Sequence, residues 1–164
     1  MRLDVYTDGA CSGNPGKGGY SFIIVYNGEE RLRASGVEEK TTNNRMELKA
    51  IVKAMKHLRL LYFARELDVY IFSDSAYCIN PITKGWMSAW KANGWKTKNN
   101  EDIKNRDLWE AIDEQLKYPK ITYHFIKVKG HSGVIYNELV DYLAKGAIKR
   151  LNSKKNYQAR EVQK

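Results

Sequence analysis

The sequence predicts an α/β domain built on one five-stranded mixed sheet flanked by helices. Two observations carry this prediction. The chain opens with strand-like segments, and the remainder alternates helical periodicity with short apolar runs. Its 164 residues fit a single domain. We expect that domain to span residues 1–150, followed by a basic, flexible tail over residues 151–164.

The first three predicted strands come from the N-terminal quarter of the chain. Residues 2–8 alternate in character and stop at Gly9, which is typical of a strand. The segments GGYSFIIVYN and EERLRASGV follow as the second and third strands. Asn27-Gly28 stands between them and is typical of a tight hairpin turn, so these two strands are predicted to be antiparallel.

Helices and further strands fill the rest of the chain. NRMELKAIVKAMKHLRLLYF places apolar residues at helical spacing, with Asn44 available as N-cap. LDVYIFSD is a short, almost wholly apolar run, which indicates a central strand covered on both faces. We then expect short tryptophan-bearing helices, a helix over KNRDLWEAIDEQLK and a fifth strand over KITYHFIKVKG. A closing helix is predicted from Asn137 to about Leu151.

The charge balance favours a polyanionic partner. Lys and Arg outnumber Asp and Glu by 28 to 19, a net charge of +9. Between Lys84 and Arg106, basic residues are interleaved with Trp86, Trp90 and Trp95, a composition that favours nucleic acid over a merely solvated face. No run approaches the roughly 18 apolar residues of a membrane helix. With two cysteines, no CxxC pair and no export leader, we expect a cytoplasmic protein that binds no membrane.

The stretch DGACSGNPGKGGY has the composition of a phosphate-binding loop but matches neither common pattern. A P-loop needs GxxxxGK followed by Ser or Thr, whereas here Cys11 stands at the first glycine and Gly18 at the hydroxyl. The stretch also leads into a strand, so no helix N-terminus follows to receive a phosphate. We interpret it as the loop joining the first two strands, with glycines that let the backbone approach a ligand.

Four carboxylates are predicted to emerge at one rim of the sheet. Asp8 and Asp74 close two strands, and they share an edge if those strands are adjacent and parallel. Glu47 lies on the core-facing stripe of its helix, and Asp141 lies near the start of the closing helix. Taken singly, each has a structural explanation: a turn former, a capping box of Asn44 with Glu47, or a partner of the helix dipole.

Together, four carboxylates would repel one another unless cations lay between them. Hard oxygen ligands favour Mg²⁺ or Mn²⁺ over Zn²⁺, and the three histidines lie far apart in sequence. Two ions about 4 Å apart can activate a water and stabilise the leaving oxygen of a phosphodiester. His131, in the glycine-flanked KGHSG, is either a plain loop histidine or a proton relay. His57 and His124 are assigned to structure.

Six segments, in this order and at these distances, closely resemble bacterial-type ribonuclease H of type 1. They are TDGACSGNPGKGGY, TTNNRMELKA, FSDSAY, GWKT, KNRDLW and KGHSG. The resemblance runs from about Leu3 to Ile148. It implies a ribonuclease H-like fold and a monomeric endonuclease that cuts the RNA strand of RNA/DNA hybrids, leaving 3′-hydroxyl and 5′-phosphate ends. It also implies two Mg²⁺ ions bound with the substrate, with Mn²⁺ as a substitute.

The resemblance assigns roles to individual residues of this chain. The metal ligands are Asp8, Glu47, Asp74 and Asp141. His131, with Glu138, is linked to proton handling and product release. Residues matching contacts to the RNA strand or the minor groove are Cys11, Asn14, Asn43 and Asn44. Residues matching a DNA-phosphate pocket are Thr42 and Asn105, with Lys40 or Arg45 nearby. Trp86 and Trp90 match channel walls that face the DNA strand.

Three departures from the family pattern bear on substrate handling. Ala92-Asn93 stands where relatives often have more basic residues in the tryptophan-bearing protrusion, so we expect weaker hybrid binding. Ala76 stands where relatives often have a Gln that contacts RNA, so we expect one minor-groove contact to be missing. Val134-Ile135 stands where a His-Pro pair is common, so the family's loop mobility at His131 is not expected to carry over unchanged. Two other function classes stay open: a non-catalytic nucleic-acid binding module, and a strand transferase of the wider nuclease superfamily.

Overall fold

The computed structural model describes residues 1–130 and 134–162. Within them, the chain forms one five-stranded sheet with helices packed on both faces. The strands are β1 (Arg2–Gly13), β2 (Gly16–Tyr26), β3 (Glu29–Thr41), β4 (Leu67–Ser73) and β5 (Ile121–Lys127). The helices are α1 (Asn43–Leu61), α2 (Ala76–Thr83), α3 (Trp86–Ala92), α4 (Arg106–Leu116) and α5 (Ile135–Val162).

The sheet is mixed, as the sequence predicted. Its strand order is β3-β2-β1-β4-β5, with β1 antiparallel to β2, β2 antiparallel to β3, and β4 parallel to both β1 and β5. The β2–β3 turn at Asn27 and Gly28 has positive φ at both residues, which is the geometry expected of a two-residue hairpin. The parallel β1–β4 pairing ends at Tyr6 and Phe72.

The predicted end of β1 at Gly9 is wrong. The strand continues to Gly13, because residues 9–13 pair with β2 as far as Gly16. The β1–β2 hairpin therefore extends beyond the neighbouring strand β4, and all five glycines of the glycine-rich stretch lie in strands rather than in a loop. An added Cβ would overlap the backbone of Met46 and Glu47 at Gly9, and that of Ala144 at Gly19. These glycines thus let helices, not a ligand, approach the sheet.

Two cores lie on opposite faces of the sheet. The larger lies against α1 and α4, and the smaller lies against α5. Because successive strand residues face opposite sides, Phe22 packs into the larger core and Ile23 into the smaller one. The expectation that β4 is covered on both faces is wrong. Leu67, Val69 and Ile71 are buried, but the residues between them are half-buried, because α5 packs on the other side of the sheet, over β1, β2 and β3.

The start of α1 differs from the prediction. Its N-cap is Thr42, not Asn44, since the Thr42 side chain accepts a hydrogen bond from the Arg45 amide at 3.2 Å. Thr42 has the extended backbone of an N-cap, with φ −125° and ψ 162°. The capping box of Asn44 with Glu47 therefore does not form. Glu47 is left available for another role.

The closing helix is longer than predicted. α5 runs to Val162 rather than about Leu151, because no Gly or Pro interrupts residues 151–162 and most are good helix formers. Polar contacts hold the helix to the sheet: Lys17 Nζ donates to Asn152 at 2.7 Å, and Lys155 pairs with Glu39. The predicted domain boundary at residue 150 falls inside this helix, while the expected flexibility of the tail stays a prediction. In the described residues, no helix combines the length and apolar character needed to cross a bilayer.

Candidate active site

Three carboxylates converge at the carboxyl end of β1 and β4. Asp8, Glu47 and Asp74 each present an oxygen within 4.8 Å of the other two. Asp8 and Glu47 are both 5% exposed, whereas Asp74 is exposed to solvent. Two of the three charges are therefore removed from water and one faces it, so the cluster has a buried floor and an open side.

The backbone explains why these three side chains meet. Asp8 lies two residues past the last parallel pair of β1 with β4, and Asp74 follows β4 directly, so both emerge at the same edge. Ser75 then caps α2 by accepting a hydrogen bond from the Cys78 amide at 3.2 Å. Gly9 allows the backbone of α1 to approach β1, which places Glu47 beside Asp8. The predicted sharing of one edge by Asp8 and Asp74 is thus observed.

Asp141 lies beside this cluster but is not one of its three members. Ser21, the register partner of Asp8 in β2, donates a hydrogen bond to the Val140 carbonyl at 2.5 Å. That bond fixes the first turns of α5 close to Asp8. The Asp141 Oδ2 atom accepts from Lys145 Nζ at 3.0 Å, one turn further along the helix. The structure therefore brings all four predicted acids into one region, three of them in direct proximity.

The local environment favours the protonated forms of the buried acids. Burial raises the pKa of Asp8 to about 7, and the nearby carboxylates of Asp74 and Asp141 contribute to the increase. Burial also raises the pKa of Glu47 well above its ordinary value, and the charge of Asp8 adds to this effect. Keeping both groups ionised near neutral pH therefore requires compensating positive charge.

The donor set fits a divalent cation. The buried Glu47 Oε2 has no hydrogen-bond partner among the described residues, a costly arrangement for a carboxylate oxygen. The atoms that meet here are all carboxylate oxygens, the ligands that Mg²⁺ and Mn²⁺ prefer. Asp8, Glu47 and Asp74, with Asp141 beside them, could hold such an ion and satisfy the orphaned oxygen.

The histidine expected to relay a proton, His131, lies outside the described residues. The residue before it, Gly130, lies against the cluster, since an added Cβ there would stand 3.1 Å from Asp74 Oδ2. Glu138 is exposed in the first turn of α5, and its amide donates to the carbonyl of Val134 at 3.1 Å. Gly130, the last described residue before His131, thus lies beside the cluster.

The residues expected to meet the RNA strand form one ridge at the tip of the β1–β2 hairpin. The Asn14 Oδ1 atom accepts a hydrogen bond from the Asn43 amide at 3.2 Å, which joins the hairpin turn to the start of α1. The Cys11 thiol donates to the Thr41 carbonyl at 3.4 Å. Asn44, the second residue of α1, is half-buried beside them. These four residues, here called the ridge, lie where the tip of the β1–β2 hairpin meets the start of α1.

Polar groups also converge where α1 and α4 begin. Arg45 donates to Asn105 Oδ1 at 3.2 Å and makes two bonds to Asp107, at 2.9 and 2.7 Å. Asn105 has a left-handed backbone, with φ 61°, and donates from Nδ2 to the Tyr77 hydroxyl at 2.8 Å. With the N-cap Thr42 alongside, these residues make up a polar group at the position that the resemblance assigns to the DNA-phosphate pocket.

Two members of this polar group were missed by the sequence reasoning. Asp107 and Tyr77 both stand inside segments already singled out, KNRDLW and FSDSAY, but nothing in their spacing marks them as neighbours. The hydrogen bond of Arg45 to Asp107 lowers the pKa of that carboxyl, so Arg45 has an internal counter-ion. Lys40, the alternative cation for this pocket, is exposed at the end of β3.

The two predicted aromatic walls differ in their surroundings. Trp86, the first residue of α3, is 45% exposed, and the Lys84 ammonium lies 5.6 Å from its ring centre. Trp90 is half-buried and packs edge-on against the buried Trp109, with ring centres 5.5 Å apart. Trp95, in the same basic segment, is buried. Trp86 is therefore free to contact a ligand, whereas Trp90 also supports the fold.

Comparison with known sequences identifies close relatives. The family model described as RNase H matches residues 1–149. The ribonuclease H of Acetivibrio thermocellus is 47% identical over 154 residues, covering 94% of this chain and 99% of the relative. The ribonuclease H of Syntrophomonas wolfei subsp. wolfei is 46% identical over 150 residues, covering 92% and 98% of the two chains.

Solved structures share the fold. LC9-RNase H1, a type 1 RNase H with the type 2 active-site motif, superposes with a TM-score of 0.75 at 28% identity, over 90% of this chain and 72% of that one. LC11-RNase H1 in complex with an RNA/DNA hybrid gives a TM-score of 0.66 at 21% identity, over 91% and 98% of the two chains. The predicted five-stranded mixed-sheet fold is confirmed.

Proposed function

The chain belongs to the ribonuclease H family, and from this premise we propose that it hydrolyses the RNA strand of RNA/DNA hybrids at a divalent-metal site. The observation that carries the proposal is the cluster of Asp8, Glu47 and Asp74, whose oxygens lie within 4.8 Å of one another on a chain of net charge +9. A concentrated negative site on a basic protein is expected where a cation and a polyanion meet.

The metal site would be held by Asp8, Glu47, Asp74 and Asp141. When bound, two Mg²⁺ ions, or Mn²⁺ in their place, supply an activated water and neutralise charge at the leaving oxygen of the phosphodiester. Asp74 is the exposed member, so it faces the side from which the substrate arrives. Cleavage would leave a 3′-hydroxyl on one fragment and a 5′-phosphate on the other.

Substrate selection is proposed to follow the two surfaces that flank the cluster. The ridge of Cys11, Asn14, Asn43 and Asn44 would meet the RNA strand, where the 2′-hydroxyl distinguishes RNA from DNA. The pocket of Thr42, Arg45 and Asn105 would hold a phosphate of the DNA strand, with Trp86 and Trp90 beside the same strand. The pairing of Asn14 with Asn43 and of Arg45 with Asn105 supports two preorganised contact regions.

Proton handling is proposed for His131, with Glu138 nearby. The position of Gly130 against Asp74 supports this, because His131 is bonded directly to a residue that lies beside the cluster. A histidine there could take up or release a proton near neutral pH, where its side chain ordinarily titrates. We further propose that a monomer, with residues 1–150 as the catalytic domain and residues 151–164 as a basic tail, suffices for activity.

Cleavage of end-labelled duplexes in Mg²⁺ tests the proposal. We expect the RNA strand of an RNA/DNA hybrid to be cut internally, while double-stranded RNA and double-stranded DNA stay intact. Asp74→Asn should abolish cutting and, because Asp74 is exposed, should still fold. Asp113→Asn, the same change at a partly exposed aspartate of α4 that belongs to neither the cluster nor the flanking surfaces, should keep activity. Equal cutting of double-stranded RNA, or full activity of Asp74→Asn, would sink the proposal, and hybrid binding without turnover would favour a non-catalytic module.

A further inference from the structure

We propose that Lys145 is a built-in counter-ion that competes with divalent metal for Asp141 and thereby sets the metal affinity of the site. This inference rests on the proposed metal-dependent function. Its basis is the ion pair in which Lys145 Nζ lies 3.0 Å from Asp141 Oδ2, one helical turn away on α5. In this arrangement the Lys145 ammonium pairs with an Asp141 oxygen that would otherwise be free to bind the metal held by the other three acids.

Within the described part of the chain, Asp141 differs from the other three acids in having an ion-pair partner, Lys145, although its backbone lies close to theirs. Ser21 fixes the neighbouring Val140 carbonyl at 2.5 Å, so the helix backbone at Asp141 is anchored beside Asp8. The three clustered acids lie within 4.8 Å of one another without it. The Asp141 side chain also reaches Asp8, so its carboxylate lies between Lys145 and the cluster, and a metal bound there meets an oxygen that Lys145 already holds.

The ion pair is of the kind that opens readily. The Asp141 side chain is 32% exposed and the Lys145 side chain is 56% exposed. An ion pair with this much exposure to solvent contributes little binding free energy. A divalent cation carries twice the charge of the ammonium and binds carboxylate oxygens directly. Metal that recruits Asp141 therefore displaces Lys145, and the released ammonium remains close enough to repel it. Both effects make the wild-type site bind metal less tightly than the same four acids would without Lys145.

The size of the effect follows from one positive charge next to a divalent ion. At a separation of a few ångströms in a solvent-exposed site, screened by physiological salt, its removal strengthens metal binding about three- to tenfold. The corresponding charge on Lys149 lies one further turn along α5, about 6 Å more distant along the helix axis, and is exposed. Its removal should change the affinity by less than about twofold.

The test measures Mn²⁺ binding to the full-length protein without substrate, by the electron paramagnetic resonance signal of free Mn²⁺. Lys145→Met keeps the aliphatic stem and removes the charge, Lys149→Met makes the same change of net charge, and Lys145→Arg keeps the pair. We expect Lys145→Met to bind about three- to tenfold more tightly, and the other two variants to resemble wild type. The melting-temperature increase on adding Mg²⁺ should be larger for Lys145→Met than for Lys149→Met.

Three outcomes would overturn the proposal. Weaker Mn²⁺ binding by Lys145→Met would mean that the ammonium orients Asp141 for the metal instead of competing with it. Equal affinities of Lys145→Met and Lys149→Met would mean that only net charge matters. Absence of Mn²⁺ binding by wild type would overturn the metal-dependent function as well. That failure is distinguishable from the first two outcomes, because in both of those the wild-type protein binds Mn²⁺.

Discussion

Replacing Asp8 by Asn should stabilise the metal-free protein, by an amount that depends on pH. Asp8 is 5% exposed, and its pKa is about 7 in the folded chain against 3.8 for an unperturbed Asp. The folded state therefore holds this proton more tightly than the unfolded chain does. The contribution of this bound proton to the free energy of unfolding is fully present below about pH 4 and is lost as the pH rises through 7.

The magnitude follows from the shift. One pKa unit corresponds to about 1.4 kcal/mol, so a difference of about three units between folded and unfolded chains amounts to at most about 4 kcal/mol. Asn has nearly the same shape as Asp but cannot ionise, so the unfolding free energy of the variant does not fall as the pH rises past the pKa of Asp8. Its advantage over wild type should grow from near zero at pH 4 to about 4 kcal/mol at pH 8, or roughly 8–16 °C in melting temperature.

The assay is thermal unfolding in EDTA at pH 4, 6 and 8, followed by circular dichroism. Asp113→Asn is the matched control, since Asp113 lies 3.1 Å from Lys91 in an ion pair and its replacement should not stabilise at pH 8. A gain for Asp8→Asn that is the same at all three pH values, or no gain at pH 8, would refute the electrostatic argument. Adding Mg²⁺ should narrow the difference at pH 8 by stabilising wild type alone.

Two further pairs of substitutions test the roles given to two tryptophans and to two glycines. Trp86→Ala should weaken hybrid binding in a filter assay with little change in melting temperature, whereas Trp90→Ala should lower both, because Trp90 packs on Trp109. An unchanged melting temperature for Trp90→Ala would contradict this. Gly19→Ala should destabilise by about 1–3 kcal/mol in urea unfolding, while Gly146→Ala, inside α5, should stabilise by up to about 1 kcal/mol. Equal effects would contradict the packing argument.

Strand ends and helix phase were enough to predict which acids meet. Asp8 and Asp74 end apolar runs, and Glu47 lies on the buried stripe of α1, so a parallel pairing of two strands was the one added assumption. The structure provides that pairing. Their roles as metal ligands stay a proposal. Their proximity could be predicted because the periodicity of strands and helices determines the side to which each side chain points.

The errors came from choices that only tertiary contacts decide. Thr42 and Asn44 are both good N-caps, and no local preference selects Thr42; the amide of Asn43 donates to Asn14, on the neighbouring hairpin, and this fixes where α1 starts. The end of β1 likewise depends on pairing with β2 beyond Gly9, since periodicity within one strand does not reveal how far its partner extends. The helix propensity of residues 151–162 allows α5 to continue, and contacts of Asn152 and Lys155 with residues more than 100 positions away hold that extension to the sheet.

In the glycine-rich β1–β2 hairpin, a local sequence pattern and the tertiary contacts of two helices act together. Gly9 faces α1 at Glu47, and Gly19 faces α5 at Ala144, three residues from Asp141, so each glycine lies where a helix bearing an acid touches the sheet. A side chain at either position would push that helix away and move its acid from Asp8. The distances within the candidate metal site are therefore set by backbone contacts on both faces of the sheet. A glycine pattern that first indicates a phosphate loop instead determines how closely Glu47 and Asp141 approach Asp8.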